Sequence, residues 1–326
     1  MRRIYAENIK SGGGKVLLDM VIDQYQNKNT IFYINEHIID DIPKDVLKVT
    51  IDNKLHTRLL SRICIHKDND HELHLGNLPP IITNADTTLI FLQNALQFVR
   101  LKTLFRENPR LIIRVLLERF FMKIFIRRHY ILYVQTDFMK ALVKQKFPKN
   151  EIHIAKFYPN HRLNKKISKC SNSKSQVNIV FVGGGEVYKN LKNVLSGLKK
   201  FVAAHQFECK LHIVGGNESL LTDQHLGYEV IFYNNISHLN SVSVIVKSDL
   251  MIFASELESF GMPLWEAHKM GIDIIASDRP FVLESCLPKA SFDPSNANSL
   301  YFALCVYFGK TNVSNPNSSI NFCNFS

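Results

Sequence analysis

The chain has few cysteines, and their spacing excludes several kinds of site. No two of the six are in C-x-x-C spacing, and the intervals between them are irregular. A disulfide framework is therefore not expected, and scattered thiols suit a reducing compartment. The cysteines are Cys64, Cys170, Cys209, Cys286, Cys305 and Cys323.

Long apolar runs are also missing. The basic start of the chain is not followed by an apolar region, which argues against a signal peptide. The most apolar region, 111–134, contains six charged residues and cannot span a bilayer in the usual way. We therefore expect a cytoplasmic protein. The charged residues are Arg114, Glu118, Arg119, Lys123, Arg127 and Arg128.

The two glycine-rich segments do not match a dinucleotide-binding fingerprint. Neither 12–14 nor 183–185 fits G-x-G-x-x-G, and no convincing acid follows about 20 residues later. A dinucleotide-binding oxidoreductase is thus disfavoured. No motif combining basic and aromatic residues indicates nucleic-acid recognition either.

The overall composition is that of a globular protein with excess positive charge. The 326 residues are 46% hydrophobic and 21% charged, which suits two folded domains. The formal net charge of +11 indicates a polyanionic partner, such as anionic lipid, nucleic acid or a phosphorylated substrate.

Strand-like apolar runs alternate with helical spacing, most clearly in the second half. This alternation predicts parallel, doubly wound sheets. A polar, serine-rich stretch separates the halves, so we predict domains over 1–160 and 177–326 joined by a linker over 161–176. Predicted strands cover 3–9, 30–34, 88–92, 130–135, 152–156, 177–182, 210–214, 228–233, 250–254 and 272–276. Predicted helices cover 137–147, 191–202, 240–247 and 263–270.

Two carboxylates in S-E-L-E-S-F-G-M-P-L-W-E-A, Glu258 and Glu266, follow the strand predicted over 250–254. Ligands bind at the carboxyl ends of strands in such sheets. The acids are eight positions apart, about two helical turns, and would face roughly one side. Gly261 would let a ligand approach backbone N–H groups that attract anions. A sugar nucleotide offers both hydroxyls and a diphosphate, although a solvated surface turn is the alternative.

A glycine-rich turn, F-V-G-G-G-E-V-Y-K-N over 181–190, also connects a strand to a helix. Lys189 would stand at the helix entrance, where it could reach a phosphate. In a doubly wound sheet this turn and Glu258 would converge on one crevice. The alternative is a simple tight connection, since a glycine loop alone is weak evidence.

Together with G-I-D-I-I-A-S-D and F-D-P, these motifs resemble the retaining glycosyltransferases of family four, also called glycosyl transferases group 1. The resemblance covers about 177–300 and is closest to the bacterial O-antigen and capsule type. The segment E-N-I-K-S-G-G-G near the N-terminus looks like the family's first glycine-rich loop. The implied fold is α/β, of GT-B type, with two Rossmann-like doubly wound domains facing across a cleft.

The resemblance implies roles for individual residues. Lys189 would contact the donor diphosphate, Glu258 the transferred sugar and Glu266 the ribose, with Lys189 and Glu258 as the catalytic pair. The donor would be a nucleotide diphosphate sugar, and transfer would need no cofactor or metal. Apart from the resemblance, His74 and Asn77 are candidates for contact with the acceptor, although a lone histidine among apolar residues is more often structural. The donor-binding residues would be Gly12, Gly13, Gly14, Gly183, Gly184, Lys189, Asn190, Ser259, Phe260, Gly261 and Glu266.

The chain departs from the family pattern in two places. Gly184 replaces an arginine that often follows the first glycine, and 310–326 is rich in Asn and Ser where relatives usually have a crossing helix. These departures keep open the hypothesis of a catalytically degenerate membrane-associated assembly subunit. A sugar-nucleotide epimerase of the same fold is a separate alternative.

Basic residues are concentrated over 100–149, interleaved with apolar ones. One interpretation is a core helix with a solvated basic face. The other is docking to an anionic membrane surface, where each basic residue contributes about 1 kcal/mol. Docking would suit a lipid-linked saccharide acceptor and a peripheral location at the inner face of the cytoplasmic membrane.

Overall fold

The computed structural model describes residues 1–10, 12–26, 28–66, 71–100, 107–156, 176–221 and 225–310. The chain divides into two compact units, Met1–Arg162 and Leu163–Ser326. The predicted linker lies outside the described residues except for Gln176, and so does the polar tail from 311 onward.

The first unit contains a seven-stranded sheet and a separate strand pair. Its strands are β1 (Arg2–Ala6), β2 (Thr30–Asn35), β3 (Lys48–Ile51), β4 (Ile63–Cys64), β5 (His71–His74), β6 (Ile82–Thr83), β7 (Thr87–Phe91), β8 (Ile131–Val134) and β9 (Glu151–Ile154). The large sheet is parallel, with order β3-β2-β1-β5-β7-β8-β9, while β4 pairs with β6. The order reverses between β1 and β5, which makes this the switch point of a doubly wound sheet.

Helix α1 (Gly12–Tyr25) follows β1 and covers one face of this sheet. Its apolar residues recur at helical spacing, and Leu17 and Val21 are buried in a core shared with Ile4 and Phe32. The glycines over 12–14 form the first turn of α1, so they do not make up a loop that precedes the helix. The described helices of this unit are α1 (Gly12–Tyr25), α2 (Leu55–Leu60), α3 (Pro109–Phe125) and α4 (Asp137–Lys146), with 3₁₀ turns at Glu36–Asp41 and Ala95–Gln97.

The second unit contains a six-stranded parallel sheet. Its strands are β10 (Val177–Val182), β11 (Cys209–Val214), β12 (Glu229–Tyr233), β13 (Leu250–Phe253), β14 (Asp273–Ser277) and β15 (Ala290–Phe292). The order β12-β11-β10-β13-β14-β15 places the switch point between β10 and β13. This is the Rossmann order, and the predicted α/β class with doubly wound parallel sheets is confirmed.

Helices flank this second sheet, and two of them pack closely against each other. Gly197 lies where helix α5 (Leu191–His205) meets helix α9 (Ala297–Tyr307). A Cβ atom at Gly197 would come 2.8 Å from the carbonyl oxygen of Ala297. The missing side chain allows this close approach, and Phe201 then stacks on Phe308 at 5.5 Å between ring centroids. The described helices are α5 (Leu191–His205), α6 (His238–Lys247), α7 (Met262–Lys269), α8 (Pro280–Ser285) and α9 (Ala297–Tyr307), with 3₁₀ turns at Val187–Lys189 and Glu218–Leu220.

The predicted elements agree with the structure best in the second unit. In the first, β1 ends at Ala6, earlier than predicted, and four short strands, β3 to β6, were missed. None of the described helices combines the length and the apolar character that a membrane span requires.

Candidate active site

Two loops leave the sheet of the second unit at its switch point, after β10 and after β13. The backbone N–H of Glu256 donates to the carbonyl of Tyr188 at 2.8 Å. The side-chain amide of Asn190 donates to the carbonyls of Tyr188 at 3.2 Å and Ala254 at 3.1 Å. These bonds hold the two loops together as one structure at the carboxyl edge of the sheet.

The fixed loops bring Lys189 and Glu258 into direct contact. The ammonium group of Lys189 donates to Oε1 of Glu258, and the hydroxyl of Ser255 donates to the same oxygen at 2.8 Å. The two charged side chains are only 15% and 17% exposed. The ammonium also lies over the ring of Phe253, 5.7 Å from its centroid. The predicted catalytic pair therefore forms a largely enclosed pair of opposite charges.

Asn190 has a backbone role at this site. Its φ of 56° is left-handed, a conformation that asparagine tolerates better than most residues. The residue ends the 3₁₀ turn at Val187–Lys189 and immediately precedes α5. Its buried amide serves the two loops, so its predicted contact with a donor remains a prediction.

The glycine-rich turn has no room for a side chain at Gly184. A Cβ atom there would lie 2.8 Å from the carbonyl oxygen of Gly215, in the turn that follows β11. The N–H of Gly183 donates to the carbonyl of Val214 at 2.9 Å, which fixes the turn against the neighbouring strand. The nearby carbonyl of Gly215 therefore requires glycine at position 184, where the family that the sequence resembles often has arginine.

The loop that carries Glu258 is also bound by strand β14 and helix α8. The hydroxyl of Ser277 donates to the carbonyl of Ser255 at 2.7 Å, and the hydroxyl of Ser285 donates to the carbonyl of Phe260. Gly261 has a φ of 77° and forms the N-cap of α7. This left-handed turn brings the loop to the start of the helix, where the helix dipole favours negative charge.

Glu266 lies inside α7, whereas Glu258 precedes the helix. This agrees with the helix predicted over 263–270, so the comparison of the two acids by helical turns applies only to Glu266. Glu266 is 2% exposed, and its Oε1 lies 2.6 Å from Nε2 of His238 at the start of α6. His238 was not predicted from the sequence, although its place after β12 and beside the N-cap residue Ser237 was an available signal.

The carboxyl ends of β14 and β15 carry a second charged group. The guanidinium of Arg279 contacts Asp278 and lies 3.5 Å from Asp293. Partial burial raises the pKa of Asp278 above its usual value, against the effect of Arg279. Burial also opposes ionisation of Asp293, but hydrogen bonds from Ser295 and the charge of Arg279 outweigh it and lower its pKa.

The predicted residues of the first unit lie in two different environments. Gly12 and Gly13 are exposed, and a Cβ atom on either would meet nothing within 4 Å, so a ligand can approach them. His74 is 1% exposed and stacks on Tyr5, with centroids 4.6 Å apart. Asn77 has a φ of 74° and accepts a hydrogen bond from the N–H of Asn94 at 3.0 Å. The burial of His74 favours the structural alternative for that residue.

A match to a known protein family covers the second unit. Residues 164–300 match the family model described as "Glycosyl transferases group 1". The match includes both loops of the site and helix α7. No curated protein matches the chain significantly by sequence.

Solved structures extend the likeness to both units. WaaG, described as a glycosyltransferase involved in lipopolysaccharide biosynthesis, superposes with a TM-score of 0.69 at 14% identity over 95% of this chain and 90% of that one. Anabaena HepE in complex with UDP and glucose gives 0.66 at 11% identity over 95% and 91%. Sucrose-phosphate synthase from Thermosynechococcus elongatus gives 0.69 at 12% identity over 94% and 89%. At these identities the likeness establishes the fold, which is that of GT-B glycosyltransferases.

Proposed function

We propose that the chain is a retaining glycosyltransferase that moves a hexosyl group from a nucleotide diphosphate sugar to a lipid-linked saccharide. The observation that carries this proposal is the contact of Lys189 with Glu258 at the switch point of the second sheet. A cation and a carboxylate held side by side at this edge suit a ligand that offers both phosphates and hydroxyls. The match to glycosyl transferases group 1 over 164–300 supports the same assignment.

Donor binding divides between the two loops and α7. The diphosphate contacts the ammonium of Lys189 and lies at the start of α7, where the helix dipole favours negative charge. The carboxylate of Glu258, released from the ammonium, accepts hydrogen bonds from hydroxyls of the sugar. Glu266, held by His238, accepts from the ribose. Gly12 and Gly13 provide exposed backbone for the donor in the first unit.

The chemistry proposed at this site is transfer with retention of configuration. The bond between the anomeric carbon and the diphosphate oxygen breaks, and the acceptor oxygen bonds to the same face of that carbon. The acceptor hydroxyl proton passes to an oxygen of the leaving diphosphate. Lys189 stabilises the charge that develops on the diphosphate, while Glu258 positions the sugar through its hydroxyls. The roles proposed for these residues require no metal.

Helix α3 supports the proposed membrane partner. Four large apolar side chains, recurring at intervals of four, three and four residues, leave more than half of their surface exposed. They lie on one stripe of the helix because residues three or four apart share a face. The stripe consists of Ile113 (60% exposed), Leu117 (64%), Phe120 (65%) and Ile124 (53%).

Basic residues accompany this apolar stripe. Arg110, Arg114 and Lys123 are exposed on the same helix, and Arg127 and Arg128 follow its end. We assign this surface to the headgroup region of an anionic bilayer, where the apolar stripe inserts and the cations meet lipid phosphates.

Arg119 is not part of this surface. Its guanidinium turns inward and donates to the carbonyls of Leu96 and Val99, the latter at 2.8 Å. Lys102 and Arg106 belong to the basic segment predicted over 100–149, but they lie outside the described residues.

We propose a biological setting by analogy with two of the similar structures. WaaG is described as acting in lipopolysaccharide biosynthesis, and HepE is described in complex with UDP-glucose. By analogy we place this chain in bacterial surface polysaccharide synthesis, of O-antigen or capsule type. Its location would be cytoplasmic and peripheral, at the inner face of the cytoplasmic membrane.

A donor screen tests this proposal. Thermal unfolding is measured with UDP-, GDP- and dTDP-sugars, because a ligand bound only by the folded state raises the melting temperature. Products are then analysed with and without a lipid-linked saccharide. We expect one donor class to stabilise the protein and transfer to require the acceptor. A sugar converted without an acceptor would instead indicate an epimerase, and binding of no nucleotide sugar would reject the proposal.

A further inference from the structure

A group of buried polar side chains lies on one face of the sheet in the first unit. In the register between β1 and β5, Tyr5 is opposite His74. Glu72 and His74 are two positions apart on β5, so their side chains leave the same face of the sheet. Cys64, at the end of β4, reaches the same place. All three of these β4 and β5 residues are 1% exposed.

Three potential metal ligands converge in this group. One donor atom from each of Cys64, Glu72 and His74 lies within 4.8 Å of the other two. Nε2 of His74 and Oε2 of Glu72 are 3.3 Å apart. Ligand atoms around a tetrahedral zinc ion, at bond lengths of about 2.0–2.3 Å, are separated by about 3.3–3.8 Å. The histidine and the carboxylate already have such a separation.

The hydrogen bonding of these groups is incomplete. Oε2 of Glu72 accepts from the hydroxyl of Thr83 at 2.8 Å. Among the described residues, no hydrogen-bond donor reaches Oε1 of Glu72, and Nδ1 of His74 has no partner. A carboxylate that is almost fully buried is expected to be compensated by hydrogen bonds or a cation. Oε2 of Glu72 is occupied by Thr83 and His74, so Oε1 is the carboxylate atom that can take a further partner, with the buried Arg3 opposite Glu72 in the register of β1 and β5.

A fourth ligand is available beside the three. Nε2 of His66 lies 3.8 Å from Oε1 of Glu72, too far for a hydrogen bond, and now contacts the hydroxyl of Tyr5 at 2.8 Å. A small movement of this half-buried ring towards Glu72 would bring its nitrogen into the group. The resulting set of one sulfur, two nitrogens and one oxygen is typical of zinc and unlike the oxygen-only sets of magnesium and calcium.

We propose that Cys64, Glu72 and His74, with His66 as the fourth ligand, bind a structural Zn²⁺ ion in the first unit. Binding releases the thiol proton of Cys64 to solvent, and the thiolate and the carboxylate together neutralise the dication. The ion joins β4, which is outside the main sheet, to β5 within it. Its role is to stabilise the unit, and it is independent of the proposed transfer reaction.

Metal analysis of the full chain is the first test. The protein is purified without chelator or affinity metal, and bound metals are measured by elemental mass spectrometry. We expect about one zinc ion per chain, and a lower melting temperature after chelation that zinc restores and magnesium does not. A wild-type protein that contains no zinc and shows no zinc-dependent shift would overturn the proposal.

Spectroscopy and variants identify the ligands. With cobalt in place of zinc, a bond to Cys64 gives a thiolate-to-metal charge-transfer band, which a merely nearby thiol does not. We expect Cys64→Ser to lose this band and Glu72→Gln and His74→Ala to lose most of the zinc. Cys209→Ala, which removes a buried thiol of the second unit, is the matched control and should keep both. Circular dichroism checks that each variant is folded, and Cys64→Ser protein that is folded and keeps the band would refute this ligand set.

Discussion

The ammonium group of Lys189 contacts the carboxylate of Glu258, although 69 positions separate the two residues in the sequence. The contact joins the loop after β10 to the loop after β13, at the switch point of the sheet. Without a donor the two charges neutralise each other in a largely enclosed site. A bound diphosphate would compete for the ammonium and free the carboxylate for the sugar.

Removing either member of this pair should reduce transfer strongly. We expect kcat/KM to fall about 100-fold or more in Lys189→Ala and in Glu258→Gln, because each loses a group that acts on the donor. Steady-state kinetics with the identified donor measures this. Lys192→Ala, an exposed lysine in the first turn of α5, is the control and should stay near wild type. Transfer at near wild-type rate by either site variant would refute the assignment.

A side chain at Gly184 should destabilise the protein without improving its activity. The Cβ of Gly184→Ala would meet the carbonyl oxygen of Gly215, so we expect a loss of about 1–3 kcal/mol in the free energy of unfolding. Gly185→Ala is the control, because its Cβ meets only the flexible end of Leu220, at 3.2 Å. Urea unfolding distinguishes them. Higher activity in Gly184→Arg, at unchanged stability, would show that the turn does accept the family's arginine.

Substitution of Gly13 by alanine should raise the melting temperature and weaken donor binding. Its place in the first turn of α1 and the open space around it suit alanine, which is favoured over glycine in helices by up to about 1 kcal/mol. We therefore expect Gly13→Ala to unfold at a higher temperature. If a donor approaches this backbone closely, the same variant has a higher KM for the donor. An unchanged KM would remove Gly13 from the donor site.

Glu266 should determine how well the ribose is recognised. Loss of its charge in Glu266→Gln removes a charge-assisted hydrogen bond, and we expect nucleotide affinity to fall about tenfold. Calorimetric titration with the nucleotide and its 2′-deoxy analogue gives an internal control, since the variant should discriminate between them less than wild type does. His238→Ala should have a smaller effect in the same direction, because His238 only orients the carboxylate. Equal discrimination by wild type and Glu266→Gln would contradict this role.

The apolar stripe of α3 should carry membrane binding. Leu117→Glu and Phe120→Glu place a charge on the exposed face, so we expect flotation with anionic vesicles to fall severalfold while folding is unchanged. Leu287→Glu is the control, because Leu287 is equally exposed, at 70%, in the second unit. Equal flotation of all three variants would locate any membrane contact elsewhere.

Much of the second unit could be predicted from the sequence. Its strands are short and almost wholly apolar, as in β13, and the intervening helices have clear spacing, so the alternation could be read directly. The parallel order then follows, and it brings Lys189 towards Glu258. Glu266 lies on the helix predicted over 263–270, which begins at Met262, but the sequence did not show that His238 contacts its carboxylate.

The first unit was less predictable for a physical reason. Strand β5 reads H-E-L-H, and its polar residues hide it from a search for apolar runs, although both Glu72 and His74 are buried. The group that these residues form with Cys64 depends on the pairing of β4 outside the main sheet. Such long-range contacts leave no local periodicity in the sequence.

Calorimetric titration shows whether Lys189 binds the nucleotide diphosphate sugar. Wild-type protein, Lys189→Ala and Lys192→Ala are titrated calorimetrically with the nucleotide diphosphate sugar that stabilises the wild type most. We expect Lys189→Ala to bind this donor at least about tenfold more weakly than wild type, a loss of about 1.4 kcal/mol. Lys192→Ala should bind it as wild type does. Equal affinity in all three proteins would contradict this role of Lys189.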